Sequence, residues 1–292
     1  MEIKSFYEKN YKKLIFIPLA LLIIAFILIG VKIANTGDFA NKDVSLAGGI
    51  DVTINKEGIN YNDIKEFLES KFDNIEVREL TDLATRENAG INIKIVGVEE
   101  DELKNVLNEK VKLNYNDPNE YSASNTSARF GESFYNQLII IILVAFLLMG
   151  IVVLIAYRSF IPSVAVISAA LMDIVITLAI LNLVGFKLSS AGIVAFLLVI
   201  GYSIDTDVLL TTRMLKRKEG SYLDRMVSSM KTGLTMTITT MAALTVALIV
   251  SISPVLQQMF TIVIIALVID IISTYFFNAP ILMMYCKKKR IA

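Results

Sequence analysis

A chain of 292 residues that is 55% apolar, with mean hydropathy +0.62 and no Trp or His, exceeds the ~45–50% apolar content of soluble domains and points to a membrane. Without His, a proton relay must use carboxylates, hydroxyls, Lys or water, and the single Cys286 excludes an intrachain disulfide. The zero net charge hides a sorting: positions 34–133 hold 11 Lys+Arg against 20 Asp+Glu, and the remainder holds 17 against 8, so an acidic soluble domain interrupts a basic, apolar scaffold.

Met1–Lys13 is polar and carries Lys4, Lys9, Lys12 and Lys13. Leu14–Val31 follows with 18 uncharged residues. That is close to the ~20 needed to span a bilayer and longer than the ~7–15 of a signal peptide's apolar core. A retained transmembrane helix is expected at 14–33.

Positions 34–134 predict an α+β domain. Ile50–Ile54 alternates as a half-buried strand does. Asn62, Asp63 and Glu66 open a helix with Ile64, Phe67, Leu68 and Phe72 on one face. Ile75–Leu83 and Ile91–Val98 read as strands around the turn-rich Arg86–Gly90. Glu99–Val111 is a second amphipathic helix with acids in its first turn, where the helix dipole favours them. A last short strand is expected before Asn116-Asp117-Pro118. The order βαββαβ is the ferredoxin-like pattern. The domain holds no metal-ligand spacing, phosphate loop or nucleophile–base pair. It reads as a binding or mechanical module.

Five apolar runs follow: Leu138–Ala156, Ile161–Val184 broken only by Asp173, Leu188–Leu210, the Thr-rich Thr232–Ile252, and Val255–Tyr285 broken only by Asp270. They predict helices at about 135–157, 161–184, 188–212, 232–252 and 255–285, then a basic tail at 287–292. With the first helix, six spans are expected. The positive-inside rule puts both termini in the cytoplasm with Arg158, a loop over Arg213–Lys231, and the Lys287–Arg290 tail. The acidic domain is then extracytoplasmic, and the protein is multi-pass in the cytoplasmic membrane.

The polar residues inside these runs are the candidate site. A charged side chain at the centre of a membrane helix costs on the order of 2.5–3.5 kcal/mol, so an intramembrane acid suggests an ion or proton path. Asp205 and Asp207 lie about 200° apart on a helix and cannot share a face. One is expected to face this chain and the other a partner, with Gly201, Tyr202 and Ser203 as packing or polar support. The alternative is that both reach cytosolic water. Asp173 and Asp270 sit in mid-span, as proton-path candidate and support, or simply hydrogen-bonded to neighbouring helices. Lys231, Thr235 and Thr239 repeat at i, i+4, i+8 as a polar stripe expected to point into the bundle. Packing by small hydroxyl residues, with Lys231 reaching the headgroups, is the alternative.

Several segments resemble one family in order: Ser45-Leu46-Ala47-Gly48-Gly49 before the first soluble strand, Asp173-Ile174-Val175-Ile176-Thr177-Leu178, Gly201-Tyr202-Ser203-Ile204, Lys231-Thr232 with Thr235 and Thr239, and Ser273-Thr274-Tyr275 with Pro280. Together with one helix, a soluble domain and five helices, they resemble SecF of the SecD/SecF protein-export family, archaeal type, in the RND superfamily. Met172 and Lys231 depart from that family's His and Arg, and its proton-path Asp aligns with Thr206. The resemblance implies a non-enzymatic auxiliary subunit without metal or cofactor. Its implied partners are SecD, a SecY-type translocon, the translocating polypeptide and membrane lipid, with no nucleic acid; the bacterial pattern further implies coupling to proton flow, and the D-x-D of Asp205-Thr206-Asp207 resembles the D-A-N of SecD, which places the acid at Asp205. An RND-type proton-antiport transporter of lipid or small molecules is the alternative. An intramembrane aspartyl protease is a remote one, because Gly201-Tyr202-Ser203-Ile204-Asp205 lacks a second glycine before the acid.

Overall fold

The computed structural model describes residues 2–56, 59–72, 75–81, 88–217, 219–251 and 253–289. Among them, six helical stretches are long and apolar enough to cross a membrane: Lys4–Thr36, Gly131–Tyr157, Phe160–Leu183, Ser190–Lys216, Tyr222–Val250 and Pro254–Lys289. The chain is a polytopic α-helical membrane protein with an α+β domain between its first and second spans.

The polar N-terminus is itself a helix, α1 (Glu2–Leu14), running into the apolar α2 (Phe16–Thr36). A short stem helix, α3 (Val44–Ala47), leads to β1 (Gly49–Ile54), α4 (Tyr61–Lys71), β2 (Ile75–Thr81), β3 (Asn88–Ile95), α5 (Glu100–Asn108) and β4 (Tyr121–Thr126). The sheet order is β2-β3-β1-β4 with every neighbour antiparallel, the ferredoxin-like arrangement. Alternation decides which face is covered. Ile50, Val52 and Ile54 of β1 and Ile91, Ile93 and Ile95 of β3 are buried against Ile64 and Leu68 of α4 and Leu103 and Leu107 of α5.

Two expectations for the domain need correction. The last strand follows Asn116-Asp117-Pro118 instead of preceding it, because Tyr121–Thr126 is a largely polar edge strand with Tyr121 as its buried anchor and no apolar alternation to betray it. The β2–β3 turn expected at Arg86–Gly90 is already strand from Asn88 on, while Arg86 and Glu87, like the expected strand end at Asp82 and Leu83, lie outside the described residues.

The bundle comprises α6 (Ala128–Tyr157), α7 (Phe160–Leu183), α8 (Ser190–Lys216), α9 (Tyr222–Val250), α10 (Pro254–Ser273), a π-turn (Thr274–Asn278) and α11 (Ala279–Lys289). The long loop expected over Arg213–Lys231 is mostly helix. A capping box starts α9 at Tyr222: Ser221 Oγ accepts from Asp224 N–H while the Asp224 carboxylate accepts from Ser221 N–H. Ile252, expected to end the helix at 232–252, and positions 290–292 of the expected tail lie outside the described residues.

The domain is tied to the bundle through its stem. Asp43 N–H donates to Leu188 O at 2.9 Å and Leu188 N–H to Asn41 O at 2.6 Å, where α7 turns into α8. Ser190 N–H donates to Ser45 Oγ at 3.1 Å, and Asn182 Nδ2 to Phe39 O at 2.8 Å. Gly131 of α6 has no room for a side chain, since a Cβ there would stand 2.8 Å from Leu46 O. Asp43, only 4% exposed, bonds Val44 N–H with one oxygen and Lys94 Nζ of β3 at 2.8 Å with the other. Removing one partner of a buried pair strands the other charge, at about 3 kcal/mol or more. Lys94→Met should therefore lower the domain's unfolding midpoint in the detergent-solubilised protein, and adding Asp43→Asn should recover part of the loss. Equal midpoints for wild type and Lys94→Met would show the pair to be idle.

Candidate functional site

Three helices bring a carboxylate each to the bundle interior: Asp173 from α7, Asp207 from α8 and Asp270 from α10, at 0%, 0% and 1% exposure. Small polar side chains surround them, as buried polar groups require. Ser203 Oγ and Ser273 Oγ each donate to Asp173 at 2.5 Å, on different oxygens. Thr206 Oγ1 lies 3.1 and 3.2 Å from the two Asp270 oxygens. Thr274 Oγ1 lies 2.9 Å from Asp207 Oδ1 and 3.3 Å from Asp270 Oδ1. Asn278 Nδ2 donates to Asp207 Oδ1 at 2.7 Å, while Asp207 Oδ2 is buried without a partner.

Ser, Thr and Asn side chains supply these bonds among the described residues. A hydroxyl has one hydrogen, so Thr274 serves Asp207 or Asp270 but not both at once. The Thr206 hydrogen is shared in the same way between Asp270 and Ser203 O at 2.9 Å. A proton placed on one of these two acids can thus pass through the Thr274 hydroxyl to the other by exchanging donor for acceptor. Among the described residues, no group of three or more His, Cys, Asp or Glu is arranged to hold a metal ion.

The π-turn is what puts Thr274 and Asn278 on Asp207, and it breaks the single helix expected over Val255–Tyr285. Its cause is Pro280, which lacks the N–H that residue 276 would need in α register. The ladder shifts by one residue, and Ala279 N–H bonds Thr274 O. Such insertions in helices recur at functional sites.

The two aspartates of α8 part company, as their angular separation demands. Asp207 faces inward with Ser203 and Thr211, all buried. Asp205 lies outside the cluster on the exposed face, in line with Val194, Leu198 and Gly201, and no side chain of the described residues bonds it. Tyr202 is partly buried and packs against the apolar core beside the cluster.

The stripe expected to enter the bundle turns the other way. Lys231, Thr235 and Thr239 are exposed on the outer face of α9, whose buried face is Ser229, Gly233 and Thr237. The hydroxyls need no partner helix, because Thr235 and Thr239 each donate back to the carbonyl four residues earlier, at 2.8 and 2.7 Å. The apolar and small residues at the α9–α10 contact, above all Gly233 under the Tyr275 hydroxyl, claim the inner face instead.

Residues 106–288 match the family described as "Protein export membrane protein SecD/SecF, C-terminal". The chain belongs to the SecD/SecF family. It is 36% identical to the protein-export membrane protein SecF of Methanocaldococcus jannaschii, over 97% of this chain and 98% of that one. It is 32% identical to SecF of Pyrococcus furiosus, over 99% and 95%. The crystal structure of SecDF, a translocon-associated membrane protein from Thermus thermophilus, superposes with a TM-score of 0.70 at 18% identity, over 96% of this chain. The chain spans 38% of that longer protein. Thr206, which stands at the family's acidic position in the motif resemblance, faces Asp270, and its neighbour Asp207 is buried while Asp205 is exposed.

Proposed function

We propose that this SecD/SecF-family chain is an auxiliary subunit of protein export, working beside SecD and a SecY-type translocon to promote movement of a polypeptide across the cytoplasmic membrane. Near full-length kinship with archaeal SecF chains carries that reading. Proton flow through Asp173, Asp207 and Asp270 powers the work, a role supported by the burial of all three acids and by the Thr274 hydroxyl that Asp207 and Asp270 share. The termini are cytoplasmic and the α+β domain extracytoplasmic. Lys216 of α8 and Lys287 of α11 gather at one end, where Lys287 Nζ stands 4.4 Å from the Tyr11 ring. At the other end Lys187 has Glu76 of the domain 3.9 Å away.

SecD covers the exposed stripe of α8. A carboxylate left facing hydrocarbon is costly, so Asp205 is satisfied when a partner helix brings a donor to its level. Gly201, with nothing within 4 Å of where a Cβ would stand, lets that helix come close. Asp205→Asn should leave the complex intact, whereas Gly201→Leu should reduce co-purification of SecD by about tenfold or more, since overpacking a helix contact costs about 1–3 kcal/mol. Undiminished SecD recovery with Gly201→Leu would place the partner on another face.

Export driven by an imposed proton gradient in inverted vesicles tests the reading as a whole. Vesicles containing this chain and SecD should export more with the gradient than without it. Equal export in both conditions would remove proton flow from the account.

A further inference from the structure

The π-turn leaves the Tyr275 carbonyl without a backbone donor. In α register Tyr275 O would accept from Ala279 N–H, but that hydrogen is spent on Thr274 O. In π register it would accept from residue 280, and Pro280 has no N–H. A buried carbonyl left unpaired is destabilising. The bond comes from the other end of the chain: Tyr7 Oη, on α1, donates to Tyr275 O at 3.1 Å. Tyr7 is 3% exposed, packed with Leu14, Met226, Leu282 and Met283. Lys4 pairs with Asp224 on one side of this contact, and Lys287 lies over Tyr11 on the other.

We propose that Tyr7 is a positioning residue for the buried acid site: its hydroxyl holds the π-turn in the register that presents Thr274 and Asn278 to Asp207. The argument rests on the proton-path reading above. Without the Tyr7 bond, the turn has a stranded acceptor at its second residue. It relieves that by sliding its ladder, and the slide swings Thr274 and Asn278 away from Asp207 Oδ1. The N-terminal helix thereby sets the geometry of a site it never touches.

The experiment uses the full chain with SecD in proteoliposomes and compares Tyr7→Phe, Asn278→Ala, Pro280→Ala and their pairs. Proton flux under an imposed gradient and recovery of the intact complex are both measured. Tyr7→Phe keeps the ring and its packing, and should lower flux about tenfold with the complex intact, the scale of one stranded buried acceptor. Combined with Asn278→Ala it should cost no more than Asn278→Ala alone, since both act on the same bond to Asp207. Pro280→Ala restores a backbone donor and with it the α register, so it should itself lower flux, and Tyr7→Phe should add little to that loss. Full flux with Tyr7→Phe, or multiplicative losses with Asn278→Ala, would overturn the proposal. If Tyr7→Phe reduces complex recovery as much as flux, Tyr7 is only a packing residue and the proposal fails. Unchanged flux with Asn278→Ala and Asp207→Asn would instead sink the proton-path reading beneath it.

Discussion

Asp207→Asn should abolish gradient-driven export while the chain still assembles with SecD. Asparagine keeps the size and shape of the side chain, and its Oδ1 can still accept from Thr274 and Asn278 as Asp207 Oδ1 does at 2.9 and 2.7 Å. What it cannot do is carry a proton. Positioned proton carriers contribute about 10²–10⁴ in rate, so a loss of at least about a hundredfold is expected. Asp173→Asn and Asp270→Asn should behave alike, since both acids are buried in the same polar cluster. Asp205→Asn should not, because that residue faces outward and bonds none of the three. Measured export in cells, with complex recovery as control, separates the cases. Normal export with Asp207→Asn and failure with Asp205→Asn would move the path to the partner face.

Gly49→Ala should unfold the soluble domain. Gly49 has φ +146°, and an added Cβ would stand 2.2 Å from Ile95 O of the neighbouring strand, so the backbone of β1 or β3 must move. Strained conformations of this sort cost about 1–3 kcal/mol each before any clash is added. The clash falls where Ile50 pairs with Ile95, in the most buried part of the sheet. The measurement is resistance of the domain to protease in intact membranes, with Gly37→Ala as control. Gly37 has a similarly unusual φ of +76° but open space around it, so its alanine variant should lose only about 1–2 kcal/mol. Equal protease resistance in the two variants would mean that the strand pair tolerates the shift.

The two predictions differ in how readily sequence exposes their basis. The six spans and the order of strands and helices in the domain were legible because hydropathy and period-two alternation are local properties, written residue by residue. Strand β4 was misplaced because an edge strand with one buried anchor, Tyr121, carries almost no alternation. The separation of Asp205 from Asp207 followed from helix geometry alone. Which of them faces inward did not, since Ser203 and Val194 mark opposite faces only once the neighbours are in place. The outward turn of Lys231, Thr235 and Thr239 was hidden for a related reason: threonines that bond their own helix look the same in sequence as threonines reaching for another. Asn278 was missed altogether. Its one signal was Pro280 two residues on, which announces a helix irregularity without saying which side chains it will redirect.

The stem fastens the soluble domain to the N-terminal end of α8, at Ser190, and Asp207 lies farther along that same helix. Seventeen residues separate them, about 25 Å at 1.5 Å per residue. The helix is therefore a lever whose short-range end sits among hydroxyls and whose long-range end grips a domain. A tilt of about 5°, caused by loss or gain of a single bond at Asp207, displaces the far end by about 2 Å. Three further bonds anchor the stem around that end, so it cannot absorb the movement by bending at one joint. On the proposed proton path, a tilt begun at Asp207 would reach the domain as a displacement of the whole sheet.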